Sequence, residues 1–150
     1  MPEAPTSGTL TAGTHVFPIR VYYEDTDAAG IVYYANYLKF AERGRTELMR
    51  LLGAEHRALM EDQGVLWAVR RCVVDYLSPA RLDDRLEVVT SVTDVGAARL
   101  DALQVVRRGA ADLARLVLRL ACIDRAGRPR RLPAAVRASL LALLPPQSRA

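Results

Sequence analysis

One long apolar helix signal followed by four strand-length segments in succession is the feature that most restricts how this chain can fold. Residues 65–77, 84–94, 99–107 and 113–124 are dominated by Val, Leu and other apolar side chains, and they are separated by Ser78-Pro79, Val95-Gly96-Ala97 and Arg108-Gly109-Ala110. Separators this short allow hairpins or tight crossings but no crossover helix, so these four strands form an antiparallel sheet. Residues 16–24 alternate β-branched and aromatic side chains as a further strand, with Pro18 favouring an edge or an early position. From Tyr34 onward, positions 34, 37, 38, 41, 48 and 52 follow a helical period with Arg45 in the same stripe. Tyr33, Phe40, Gly44, Met49 and Leu51 widen that stripe, and burial on more than one side is expected. Gly53 stops this helix, residues 54–63 supply a shorter, more polar one closed by Gly64, and residues 133–144 supply a closing helix. Strand, long helix, then strands predicts an α+β fold in which a curved antiparallel sheet wraps one central helix. A single such sheet leaves open edges, which proteins avoid exposing, so a homo-oligomer is expected.

A chain of 150 residues, 51% hydrophobic and 25% charged, fits one domain with one core. The domain is expected over residues 15–144, with a flexible lead-in at 1–14, rich in Pro, Ser, Thr, Gly and Ala, and a flexible tail at 145–150. No window approaches the roughly 20 apolar residues of a membrane span, and no basic patch precedes an apolar run at the N-terminus. The protein is therefore expected in the cytoplasm. Cys72 and Cys122 lie in apolar strand-like runs without CxxC spacing, which predicts reduced, packed thiols and no metal site. The net charge of +4 comes from scattered residues, densest at Arg125, Arg128, Arg130 and Arg131, and no nucleic-acid recognition motif accompanies it. A phosphorylated small ligand or an acidic carrier protein suits such a surface better.

Chemistry concentrates in residues 21–40, where a strand runs into a carboxylate-bearing turn and then the long helix. Asp27 reads as lying just ahead of the helix N-terminus, whose first amides lack internal partners and favour an anion. An ionised Asp27 suits a nucleophile or general base. Asp25 and Asp27 are equally suited to capping the helix or fixing the turn, and Asp25 is given that structural role. Gly30 would permit a tight turn and close approach of substrate to backbone. Glu42, Arg43, Arg45 and Glu47 are spaced to pair along the helix. Arg128, Arg130 and Arg131 could bind phosphate through charge-assisted contacts, or form a solvated turn. Tyr33, Tyr37 and Trp67 are candidates for lining a pocket, or for core. The two histidines, His15 in the lead-in and His56 on the second helix, lie outside this stretch. A hydratase or dehydratase, which needs a proton donor and acceptor near neutral pH, is thereby disfavoured.

The run Tyr-Tyr-Glu-Asp-Thr-Asp-Ala-Ala-Gly-Ile-Val-Tyr-Tyr-Ala-Asn-Tyr-Leu, followed by Glu-Arg-Gly-Arg-Thr-Glu from Glu42 to Glu47, closely resembles the YbgC branch of the 4-hydroxybenzoyl-CoA thioesterase family. The resemblance is dense over residues 20–52 and looser to about residue 133. It implies a hotdog fold and hydrolysis of acyl-CoA thioesters to free acid and CoA, coenzyme A being part of the substrate and no cofactor being needed. It also implies association with the Tol-Pal envelope system, active sites between protomers of a homotetramer, Asp27 as the reacting carboxylate, and the backbone amide of Tyr34 as oxyanion donor. Close members often carry histidine where this chain has Tyr34, a change that an amide role survives and a side-chain role does not. Glu42 is the reserve acid, since some relatives use a helix-borne one. The rival of a different class is a non-catalytic hotdog adaptor that binds acyl carrier protein or envelope machinery through the basic surface.

Overall fold

The computed structural model describes residues 7–146. Its strands are β1 (Thr9–Thr11), β2 (Thr14–Arg20), β3 (Leu66–Tyr76), β4 (Arg85–Val95), β5 (Arg99–Arg108) and β6 (Ala111–Ile123). They form one sheet in the order β1-β2-β4-β5-β6-β3, and every pairing is antiparallel. The helices are α1 (Asn36–Leu51), a short α2 (His56–Ala58) that runs into a π-helical turn (Leu59–Gln63), and α3 (Ala134–Leu141). Gly64 closes the π turn with φ +68°, the left-handed conformation that the sequence asked of it. The four consecutive strands stand within two residues of their expected bounds because each is delimited by a Gly or Pro turn.

The sheet curves over α1. Side chains alternate between a buried inner row, such as Leu86, Val88, Thr90 and Val92 on β4, and a more open outer row. Register shifts at Val92/Asp94, Val106/Arg107 and Val69/Arg71 are bulges that tighten the twist needed to wrap a helix. Tyr37, Phe40, Ala41, Gly44, Leu48 and Met49 form the buried stripe of α1. Leu38 and Leu51, 42% and 44% exposed, lie outside it, so the helix is covered on one side and not on several. Cys122 is buried, Cys72 partly so, and both are free thiols.

Two further expectations need correction. Residues 9–14, assigned to a flexible lead-in, form β1 and the turn into β2, because Thr9, Leu10 and Thr11 find strand partners in Val16, His15 and Thr14. His15 is fully buried, with Nε2 2.7 Å from the Ser7 carbonyl oxygen. Residues 1–6 of that segment, and residues 147–150 of the tail expected at 145–150, lie outside the described residues. The first long strand also ends at Arg20 and not at residue 24, for a reason that belongs to the site.

Helix and sheet are in contact at Gly44. A Cβ built there would lie 2.7 Å from Val88 Cγ1 and 3.4 Å from Gln104 Nε2. Gln104, a buried amide among the inner strand residues, donates to the Ala41 carbonyl and to Thr90 Oγ1, both at 2.9 Å, and accepts from Arg45 Nη1 at 2.9 Å. Gly44→Ala gains helix propensity of up to about 1 kcal/mol but must displace a β-branched neighbour with few rotamers. Overpacking wins, and urea denaturation should show a net loss of about 1–2 kcal/mol with unchanged m-value.

Candidate active site

Asp25 organises the exit from β2. It is buried, 7% exposed, and its Oδ2 accepts from the Tyr22 amide at 2.8 Å. Its carbonyl oxygen accepts from the Tyr33 amide and from Asn36 Nδ2, each at 2.9 Å. These bonds fold Tyr23–Asp25 into a 3₁₀ turn, which ends the strand early, and they tie that turn to the first residue of α1. Asp25 thus has the structural role expected of it.

Residues 26–32 form a small loop closed by a bridge between Thr26 and Val32. The Asp27 amide donates to the Ile31 carbonyl at 2.9 Å and the Gly30 amide to the Asp27 carbonyl at 3.0 Å. Gly30 takes φ +79° at this exposed tip, where an added Cβ would meet nothing within 4 Å, so conformation and not crowding requires glycine. Asp27 Oδ1 accepts from the Ala29 amide at 2.8 Å, an Asx turn. Among the described residues Oδ2 has no hydrogen-bond donor, and the side chain is partly exposed. Asp27 does not border the helix, contrary to the sequence reading. The Val32 amide is held by the Ala80 carbonyl at 2.9 Å and the Tyr33 amide by Asp25, which keeps the chain extended and delays the helix to Asn36.

Tyr34 takes the place that Asp27 was expected to fill. It immediately precedes Ala35, the N-cap of α1, where the helix dipole is positive. Among the described residues the Tyr34 amide N–H has no acceptor, while its carbonyl accepts from Tyr76 Oη at 2.9 Å. Tyr76 stacks edge-on against Tyr34 and Tyr37, with ring centroids 6.0 and 5.6 Å apart. Burial foremost pushes the Tyr76 phenol up from its usual range, which keeps it a donor. The Tyr34 ring itself is 61% exposed. The site therefore comprises a carboxylate on a rigid loop and an open amide at a helix start.

The arginine cluster lies elsewhere. Arg128 and Arg130 follow β6 and pair with Asp124 Oδ2 at 3.3 and 3.1 Å, while Asp124 Oδ1 accepts from the Ala126 and Arg128 amides at 2.9 and 3.0 Å. Arg131 is exposed and has no carboxylate partner among the described residues. β6 ends opposite Leu66, at the start of β3, whereas the segment that follows the Asp27 loop is fastened at Tyr34 to Tyr76, at the end of β3. At about 3.3 Å per residue the two ends of β3 stand roughly 30 Å apart, so one chain does not bring Arg128, Arg130 and Arg131 to Asp27.

A cavity of about 250 Å³ opens between α1 and the first half of β3. Leu48, Met49, Trp67, Val69, Leu100 and Leu120 supply its apolar wall, with Arg45, Glu42, Thr90 and His56 as its polar members. Trp67 lines it as expected, Tyr37 lines a shallow groove beside Tyr34 and Tyr76, and Tyr33 is 45% exposed. The charged ladder on α1 is not the one expected: Glu47 pairs with Arg50 at 3.4 Å, and Arg45 turns inward to Gln104. Burial foremost, then the Arg45 cation, pushes the His56 ring below its usual range. Sequence reasoning missed Asn36, Tyr76 and Gln104. A polar amide in the inner row of an apolar strand was a usable signal for Gln104; nothing local marked Tyr76.

The Arg128 amide foremost, with the Arg130 guanidinium and the Ala126 amide, outweighs burial and holds the Asp124 carboxyl at about 2. A depressed folded value against an unfolded one near 3.9 means stability that is present above pH 4 and lost as pH falls through 2. Denaturant midpoints between pH 5 and 2 should fall in the wild type, and Asp124→Asn should flatten that fall while being less stable at pH 7.

A family model described as the thioesterase-like superfamily matches residues 21–141. The acyl-CoA thioesterase YbgC of Haemophilus influenzae is 44% identical over 108 residues, 72% of this chain and 79% of that protein. The acyl-CoA thioester hydrolase YbgC of Escherichia coli is 51% identical over 79 residues, 53% of this chain and 58% of that protein's length. The crystal structure of a probable thioesterase from Bartonella henselae superposes with a TM-score of 0.78 at 36% identity, covering 80% of this chain and 99% of that one. A helix wrapped by this antiparallel sheet is the hotdog arrangement, and the chain belongs to the thioesterase-like superfamily, in its YbgC branch.

Proposed function

We propose that this chain is an acyl-CoA thioesterase that hydrolyses its substrate with the Asp27 carboxylate and the Tyr34 amide. The observation that carries the reading is the pairing of a loop-fixed carboxylate with an amide at a helix start, where among the described residues one carboxylate oxygen and that N–H have no hydrogen-bond partner. Asp27 either attacks the thioester carbon or takes a proton from the water that does. The negative charge that develops on the carbonyl oxygen is met by the Tyr34 N–H and the helix dipole. As the intermediate collapses, the carbon–sulfur bond breaks and CoA leaves as thiolate, which a model thiol pKa near 8.5 permits without an acid catalyst. Where Asp27 is the nucleophile, water then cleaves the acyl–Asp27 anhydride, supplying the oxygen of the free acid and returning the carboxylate; where Asp27 is the base, the attacking water has already supplied that oxygen and the proton taken by Asp27 passes to the thiolate. No metal or redox cofactor enters this scheme.

An open sheet edge supports a homo-oligomer. β3 is an eleven-residue edge strand with Val69, Val73 and Tyr76 between 42% and 50% exposed. Antiparallel pairing of β3 with its copy buries that edge and sets the partner's arginine turn beside this protomer's Asp27 loop, where it can meet the phosphates of CoA. Such a dimer, alone or doubled into a tetramer, has two composite sites. No helix among the described residues is long and apolar enough to cross a membrane. Placement in the cytoplasm and service to the Tol-Pal system accompany the family reading.

Thiol release from short-chain, long-chain and aromatic acyl-CoAs tests the assignment. Wild type should cleave at least one class, and Asp27→Asn should lose about a hundredfold, about 2.7 kcal/mol of transition-state stabilisation, while remaining folded. Tyr34→Phe should retain most of the turnover, since only the amide is used. Mixing Asp27→Asn subunits with an Arg130→Ala, Arg131→Ala double variant should restore part of the activity that each lacks alone. Absence of thiol release from every acyl-CoA, with binding to acyl carrier protein retained, would put the adaptor in place of the enzyme.

A further inference from the structure

The cavity between α1 and β3 holds a cation that the proposed chemistry does not use. Arg45 reaches into it from α1, is partly buried, and spends one nitrogen on Gln104 Oε1 at 2.9 Å. Among the described residues it has no carboxylate within 4.0 Å, although Arg50, on the same helix, has two. Glu42 also lines the cavity, and its charge offsets part of the burial that lowers the Arg45 pKa, but Glu42 is exposed and forms no ion pair with the guanidinium. An arginine left with spare donors in an apolar enclosure is costly unless an anion completes it, and a carboxylate matches its fork bidentately. The volume, about 250 Å³, exceeds that of a cavity of roughly 150 Å³ that holds benzene, so a ring or a short chain fits with a polar end group.

We infer that this cavity receives the acyl group of the substrate, and that Arg45 selects acyl groups whose far end carries a carboxylate, such as the half-thioester of a short dicarboxylic acid. The inference rests on the thioesterase reading and on the composite site, because β3–β3 pairing sets the cavity of one protomer near the Asp27 loop of the other. Arg45 acts in specificity and not in the bond-breaking step. A neutral acyl group of equal shape leaves the guanidinium without its partner, which is the situation in which sites discriminate most strongly.

The test compares glutaryl-CoA with 5-methylhexanoyl-CoA, in which an isopropyl group replaces the carboxylate. Wild type should favour glutaryl-CoA in kcat/KM by at least about tenfold, Arg45→Met should reverse the order, and Arg45→Lys should recover part of the preference. Trp67 is the one tryptophan of the chain and lines the cavity, so its fluorescence reports occupancy without turnover. A thioether analogue of glutaryl-CoA should shift that emission in wild type and Arg45→Lys but not in Arg45→Met, with circular dichroism confirming that each variant is folded. Equal use of both thioesters, or an Arg45→Met ratio like that of wild type, overturns the inference and leaves the thioesterase reading intact. An Arg45-dependent Trp67 shift without cleavage of any thioester supports the cavity assignment while the thioesterase reading fails. Arg45-dependent binding of butyrate with no preference between the two thioesters assigns the carboxylate to the departing product and overturns the substrate assignment.

Discussion

Everything in this fold is set by how closely α1 can approach the sheet. The helix touches down where it has no side chain, at Gly44 against Val88, and Gln104 fastens it there by bonding to a helix carbonyl. Close contact at that point fixes the height of the helix along its whole length. Further along, toward Leu48 and Met49, larger side chains and the beginning of β3 hold the two layers apart, and the space between them is the cavity. The same Gln104 that pins the helix also receives Arg45, so the contact that makes the fold compact also holds the guanidinium that lines the cavity. Packing and selectivity are coupled through one amide side chain.

The strands and the long helix were legible because their signals are local. Turn residues bound every strand after α1, and the helical stripe from Tyr37 to Met49 coincides with the buried face. What could not be read was where backbone polar groups find their partners across the fold. The helix was expected to begin soon after Asp27, yet the amides of Val32 and Tyr33 are claimed by Ala80 and Asp25. Ala80 lies far along the chain, and its own amide is bonded to the Tyr37 hydroxyl at 3.0 Å, so no window around the motif contains that information. The same limit explains β1, a three-residue strand without periodicity that exists only because β2 offers it an edge.

The site was legible in part for the same reason. Asp25 as a structural aspartate and Gly30 as a turn glycine follow from local chemistry. The position of the arginine turn relative to Asp27 does not, since it depends on strand order: β6 returns alongside β3 and delivers residues 124–131 to the strand end opposite Tyr76. A reading that places a phosphate-binding cluster and a reacting carboxylate in one site by sequence alone is correct only if a second copy closes the gap.

Separating the carboxylate from the helix N-terminus changes what each must do. Had Asp27 capped α1 directly, its charge would have been neutralised by the very amides needed for the oxyanion. Instead the turn at Ala29 satisfies one carboxylate oxygen, the bonds to Asp25 and Ala80 hold residues 32–33 extended, and the first open amide of the helix region falls to Tyr34. The negative group and the positive site are thereby held on the two limbs of one short loop, close in sequence but with neither satisfying the other. Asp25, at the base of the loop, maintains that separation by bonding the amides of Tyr22 and Tyr33 and the side chain of Asn36.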